Sequence, residues 1–166
     1  MKINLTNLLN QAENNKEFSY SLDMCDLSYC GYNPIKTPVK VDGKIFSKAD
    51  IVCLDMKIQY TFDGQCDRCA EDVKKDFTIN VNKIIVEELQ NEDDDENYIV
   101  VNNQELNVDD LVREEVALNL PSKILCTEDC KGICQKCGAN LNVNECNCKP
   151  DVDPRMSALL QLLDEE

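Results

Sequence analysis

The chain has 166 residues, enough for one domain or one domain carrying a small module, and 43% of them are apolar, enough for one moderate core. Its formal net charge is −15, which opposes non-specific binding to phosphate backbones and favours basic partners. There is no histidine, so neither imidazole acid–base chemistry nor imidazole metal ligation is open to it.

Met1–Asn7 has no long apolar stretch and no cleavage signature, and no run is long and apolar enough to span a membrane. The expected location is the cytoplasm, where thiols stay reduced. The first half alternates with a period of two. Phe18, Tyr20, Leu22 and Met24 face one way, with Ser19, Ser21 and Asp23 opposite. Val39–Val41 and Lys44–Phe46 flank Asp42-Gly43, which predicts a hairpin there. Val52, Leu54, Met56, Ile58 and Tyr60 form a second apolar face, and Phe77, Ile79 and Val81 a third. These read as half-buried antiparallel strands. Residues 87–96 hold seven acids and no base, a solvated acidic loop.

Two helices are expected later. Asn107 can cap the first, with Asp109 and Asp110 in its first turn, Val108, Leu111, Val112 and Val116 on one face, and Pro121 at its end. Asp153 and Pro154 begin the second, whose stripe of Met156, Leu159, Leu160 and Leu163 is expected to pack on the protein's own sheet. The fold class is α+β: an antiparallel sheet, or a partly closed barrel, with two helices and a Cys-rich zinc module. The expected divisions are 1–125 for the body, 126–149 for the metal module and 150–166 for the terminal helix.

The chemistry lies in the cysteines. Cys66-Asp-Arg-Cys69 follows Asp63-Gly64 between two strands. Cys126-x3-Cys130-x3-Cys134-x2-Cys137 is followed by Gly138 and then by Cys146-x-Cys148. Eight thiols in pairs at ligand spacing point to an all-thiolate metal site, and zinc is the ion that takes this donor set most readily. Cys134-Gln-Lys-Cys137-Gly138 has the form of a zinc knuckle, whose backbone N–H groups point at the first sulfur and whose glycine adopts a left-handed conformation. Disulfides need an oxidising compartment, and an iron–sulfur cluster fits neither ferredoxin spacing.

Three divisions of the thiols are open. Cys66, Cys69, Cys126 and Cys130 can share one ion while Cys134, Cys137, Cys146 and Cys148 hold another. Alternatively, Cys126, Cys130, Cys134 and Cys137 group together, or the C-terminal knuckle alone binds a single ion. The first is preferred because every pair then has a partner pair, giving two zinc ions. Cys25, Cys30 and Cys53 remain outside the scheme as structural or free thiols. Lys123, Lys131, Lys136, Lys149 and Arg155 balance the acids of 121–155, which makes this the surface least hostile to RNA.

The run from Cys126 through Cys130-Lys-Gly-Ile-Cys134-Gln-Lys-Cys137-Gly138-Ala-Asn140-Leu141-Asn142 to Cys146-x-Cys148 and Asp153-Pro154-Arg155 resembles the YceD family, the large-ribosomal-RNA accumulation proteins of bacteria and plastids. Cys66–Cys69 and the helix before Leu120-Pro121 are similar to that family too, and the likeness covers about Asp63 to Leu163. The resemblance implies a non-enzymatic role in accumulation or processing of large-subunit ribosomal RNA, hence ribosome assembly. The implied partners are the RNA precursor, a basic ribosomal protein, or both. A zinc-stabilised protein-interaction adaptor without RNA contact is the alternative, and a thiol redox protein is third. Redox use of Cys66–Cys69 would place it at a helix N-terminus rather than between strands.

Overall fold

The structure, a computed structural model, describes residues 1–10, 14–29, 31–49, 51–88, 97–101 and 103–148. In chain order they form β1 (Lys2–Asn4), α1 (Thr6–Leu9), β2 (Asn15–Leu22), β3 (Val39–Lys48), β4 (Ile51–Gln65), β5 (Asp72–Val86), β6 (Tyr98–Val100), β7 (Glu105–Asn107) and α2 (Val108–Leu118). The chain divides into two compact units. One is Met1–Gly64 with Asp72–Lys123, and the other is Gln65–Glu71 with Ile124–Glu166.

The first unit is built on a five-stranded sheet of order β2-β3-β4-β5-β6. The order is linear, so the sheet is open rather than a closed barrel. β2–β3 and β3–β4 are antiparallel, with Tyr20 opposite Val41 and Val41 opposite Ile58. β6 joins the edge parallel to β5, with Val86 opposite Val100, so the sheet is mixed at that margin. β1 and β7 pair separately and antiparallel, Ile3 facing Leu106.

The apolar alternation of the strands is what buries one face. Val52, Leu54, Met56, Ile58 and Tyr60 of β4 are buried, as are Val39, Val41 and Ile45 of β3. Val108, Leu111, Val112 and Val116 of α2 join the same core, which also takes Leu5 and Leu8 from the α1 region. The opposite face is polar. Glu17, Lys44 and Asp55 lie in one row across it, and Ser19, Asp42 and Lys57 in the next. The Ser19 hydroxyl donates to Asp42 at 2.6 Å.

The hairpin expected at Asp42-Gly43 is not there. β3 runs unbroken from Val39 to Lys48. Gly43 serves a close approach instead: a Cβ at this position would lie 2.2 Å from Cζ of Phe18, whose ring covers it from the neighbouring strand. Asp63-Gly64 likewise stays within β4, and the chain turns later, at Cys66–Ala70. Helix α2 begins after Asn107 as its pattern predicts, but the Asn107 side chain bonds Asp110 rather than a helix N–H. The helix stops at Leu118, before Pro121. The helix expected after Asp153 lies outside the described residues.

Candidate metal centres

Both cysteine groups fall in the second unit. Its first strand-to-strand turn is a tight loop in which the Ala70 N–H donates to the Cys66 carbonyl at 2.9 Å. The Gly138 N–H donates to the Cys134 carbonyl at the same 2.9 Å, so the two Cys-x-x-Cys turns share one design. Gly138 has φ +71°, the left-handed conformation expected of a knuckle. Ala70 stands at the equivalent place with φ +58°, where a side chain costs about 1 kcal/mol and is tolerated only in a well-held turn.

The segment Ile124–Cys130 is tied to the first turn. The Asp67 N–H donates to the Ile124 carbonyl at 2.9 Å, and the Ile124 N–H donates back to the Asp67 carboxylate. Arg68 donates from its guanidinium to the Cys130 carbonyl at 2.8 Å. These bonds bring Cys66, Cys69, Cys126 and Cys130 together with all four sulfurs within 4.8 Å of one another. Cys134, Cys137, Cys146 and Cys148 form a second such group. This is the first of the three divisions.

The spacing suits an ion better than a disulfide. Cys66 Sγ lies 3.7 Å from Cys130 Sγ, and Cys69 Sγ 3.5 Å from Cys126 Sγ. A disulfide would need about 2.05 Å. Four sulfurs placed tetrahedrally at about 2.3 Å from a zinc ion stand about 3.8 Å apart. The described cysteines are free.

Polar groups prepare some sulfurs for the anionic state. Burial works to raise the Cys66 thiol, but the N–H groups of Arg68, Cys126 and Cys69 aim at it and hold it at about 6. In Cys134, the N–H groups of Cys137 and Lys136 do the same, again to about 6. Burial raises Cys130 as well, yet the Asn142 amide and the Gly132 N–H outweigh it and the net shift is downward. Asn142 Nδ2 lies 3.3 Å from the Cys130 sulfur.

The remaining sulfurs cannot all follow, because four anions this close repel. Cys69 receives the Glu71 N–H, which lowers it, but burial and sharing with Cys66, Cys126 and Cys130 push it up to about 12. Hydrogen bonding with Cys137, aided by burial, pushes Cys148 up to about 12. Each metal-free cluster therefore keeps protons that a divalent cation would displace. The donor set fits zinc in both groups, and a closed set of four thiolates leaves no open position for a substrate, the hallmark of a structural site.

The supporting residues were not singled out from sequence. Asn140 and Asn142 brace the two groups: Asn142 accepts the Lys131 N–H at 2.8 Å, and Asn140 donates to Glu71 at 2.7 Å. An Asn-x-Asn beginning two residues after a knuckle glycine is the signal that could have marked them. Of the expected cationic surface, Lys123, Lys131 and Lys136 are exposed, Lys123 in the first unit and the other two in the second. Lys149 and Arg155 lie outside the described residues, as does Cys30. Cys25 is exposed, bonded to Asp23, and Cys53 is half-buried on the polar sheet face.

Fold and site together define a sheet-built protein with a unit organised around eight thiols, in two sets each suited to one metal ion. The chain belongs to the YceD family, whose sequence model, described as large ribosomal RNA subunit accumulation protein YceD, matches residues 54–163. It is similar to YlbN of Bacillus subtilis (strain 168), 26% identical over all of this chain and 98% of that protein. It is also similar to the chloroplastic large ribosomal RNA subunit accumulation protein YCED homolog 1 of Arabidopsis thaliana, 26% identical over 69% of this chain and 45% of the relative. The Zea mays protein of the same name is 24% identical over 69% of this chain and 50% of its own length. The chain thus spans about half the length of these plastid relatives. No solved structure matches it. No helix among the described residues is long and apolar enough to cross a membrane.

Proposed function

We propose that this protein supports accumulation of large-subunit ribosomal RNA as a non-enzymatic assembly factor whose zinc-held unit is the contact module. The carrying observation is that all eight paired thiols gather in one unit, within the segment shared with a family described by ribosomal RNA accumulation. Buried apolar side chains are scarce there: besides sulfurs, Ile124 is the buried hydrophobic among the described residues of that unit. Such a unit needs metal to fold, since structural zinc supplies about 10–16 kcal/mol in small peptides. Zinc here would crosslink chain segments, a role for which four thiolates suffice. Arg68, Lys131 and Lys136 are its exposed cations, with Lys149 and Arg155 following in sequence.

Depletion of the protein should lower mature large-subunit RNA, and the wild-type gene should restore it while Cys134→Ser with Cys137→Ser should not. Normal RNA levels after depletion would end this reading. A second reading, an adaptor that touches protein only, is favoured by the net charge of −15 and by the five acids that outnumber three bases among the described residues of the metal unit. Crosslinking in cells separates the two. RNA recovered on the protein, lost when Lys123, Lys131, Lys136, Lys149 and Arg155 are each changed to Glu, supports direct contact.

A further inference from the structure

The first unit carries a groove of about 530 Å³ between α2 and the edge strand β6. Its lips are apolar and open: Leu118 is 73% exposed on the helix side and Val100 43% exposed on the strand side. Inside, Lys83 Nζ lies 2.5 Å from Glu115 Oε1, so the one base of the lining is already neutralised. Glu114, on the exposed side of the helix, forms no ion pair among the described residues, whereas Arg113 bonds Asp26.

Two features make the groove's surroundings negative. Helix α2 ends beside Leu118 with no basic residue in its last turn, so no cation of that turn offsets its partial negative charge. Glu87 and Glu88 are exposed and leave the end of β5, where Val86 sits opposite Val100. On its far side, β6 has no strand partner among the described residues.

We infer that this groove docks a basic segment of a partner protein, an extended or helical stretch in which Lys or Arg residues alternate with apolar ones. Its apolar side chains would cover Leu118 and Val100. Its cations would meet Glu114, the C-terminus of α2, and Glu87 and Glu88. Nucleic acid is disfavoured at this place by the same charges, and a second copy of the chain, itself at −15, is disfavoured by repulsion. The groove's lining belongs to the first unit and includes no cysteine, so the inference stands apart from the ribosomal role.

The test uses the full protein and two labelled synthetic peptides of equal length and charge, one alternating Lys with Leu and one alternating Lys with Ser. Fluorescence anisotropy should show tighter binding of the Leu peptide, weakened by salt and by Glu114→Lys. The decisive variant is Leu118→Asp. It adds a negative charge, so diffuse electrostatic attraction would strengthen, whereas loss of an apolar contact should weaken binding by about tenfold. Leu118 is exposed enough for the fold to survive the change, which circular dichroism checks. Equal binding of both peptides, or unchanged or tighter binding to Leu118→Asp, overturns the inference. So does concentration-dependent self-association in sedimentation that Leu118→Asp abolishes, because the groove's occupant would then be another copy.

Discussion

The two cysteine groups differ in access, and metal should leave them at different rates. In the first, Cys66, Cys69 and Cys130 are 2%, 6% and 1% exposed; in the second, Cys137 and Cys148 lie open to solvent. A chelator reaches the second group directly. To reach the first it must wait for Ile124–Cys130 to lift away. That opening exposes Ile124, about 2 kcal/mol, and breaks the two Asp67–Ile124 bonds and the Arg68–Cys130 bond, about 1 kcal/mol each. The total, about 5 kcal/mol, slows release by nearly four orders of magnitude, about 5,000-fold. Zinc-loaded protein mixed with a chromophoric chelator in a stopped-flow instrument should give two phases of equal amplitude. Cys134→Ser with Cys137→Ser should remove the fast phase. A single phase, or a fast phase that disappears with Cys66→Ser and Cys69→Ser instead, would refute the reasoning.

Cys66→Ser with Cys69→Ser should raise hydrogen exchange at 124–131 more than at 134–148, because the first group alone loses its ion; equal protection across both segments would count against the shared site. Zinc added to metal-free protein at pH 7 should release at least one proton per cluster, since Cys69 and Cys148 stay protonated up to about 12 without metal. Affinity should accordingly fall as the pH drops, and calorimetry in buffers of differing ionisation enthalpy measures the proton count. Gly43→Ala should cost about 1–3 kcal/mol because its Cβ meets the Phe18 ring; an unchanged melting temperature would show that the ring can move aside. Lys83→Met should cost about 3 kcal/mol by stranding the buried Glu115 carboxylate, and adding Glu115→Leu should recover most of it. Denaturant unfolding of the two variants tests this.

Strand periodicity was legible wherever burial is one-sided. The β4 stripe from Val52 to Tyr60 is buried residue for residue, and so is the α2 stripe. Asp-Gly misled because its turn propensity is local, while the reason for Gly43 is a ring on another strand, invisible without the pairing. β1, β6 and β7 are three residues each, too short to show any period. The thiol pairing was readable from ligand spacing and the count of pairs. Ala70 hid the likeness of the first turn to the second, since alanine gives no hint of a positive φ.

The first cysteine group closes a long loop and the second a short one. Cys66 and Cys130 are 64 residues apart in sequence, whereas the second group lies within one short stretch, Cys134–Cys148. Two doublings of loop length add about 1.2 kcal/mol of closure entropy to the first. The difference also imposes a sequence of events during synthesis. Every strand and helix through α2 has left the ribosome before Cys126 does, so the sheet can form with an empty, half-built ligand turn hanging from its β4–β5 connection. A first ion can then join a preformed turn to a late-arriving segment much as a disulfide would: it fastens the two ends of a long excursion of the chain, and it can be undone by taking the ion away.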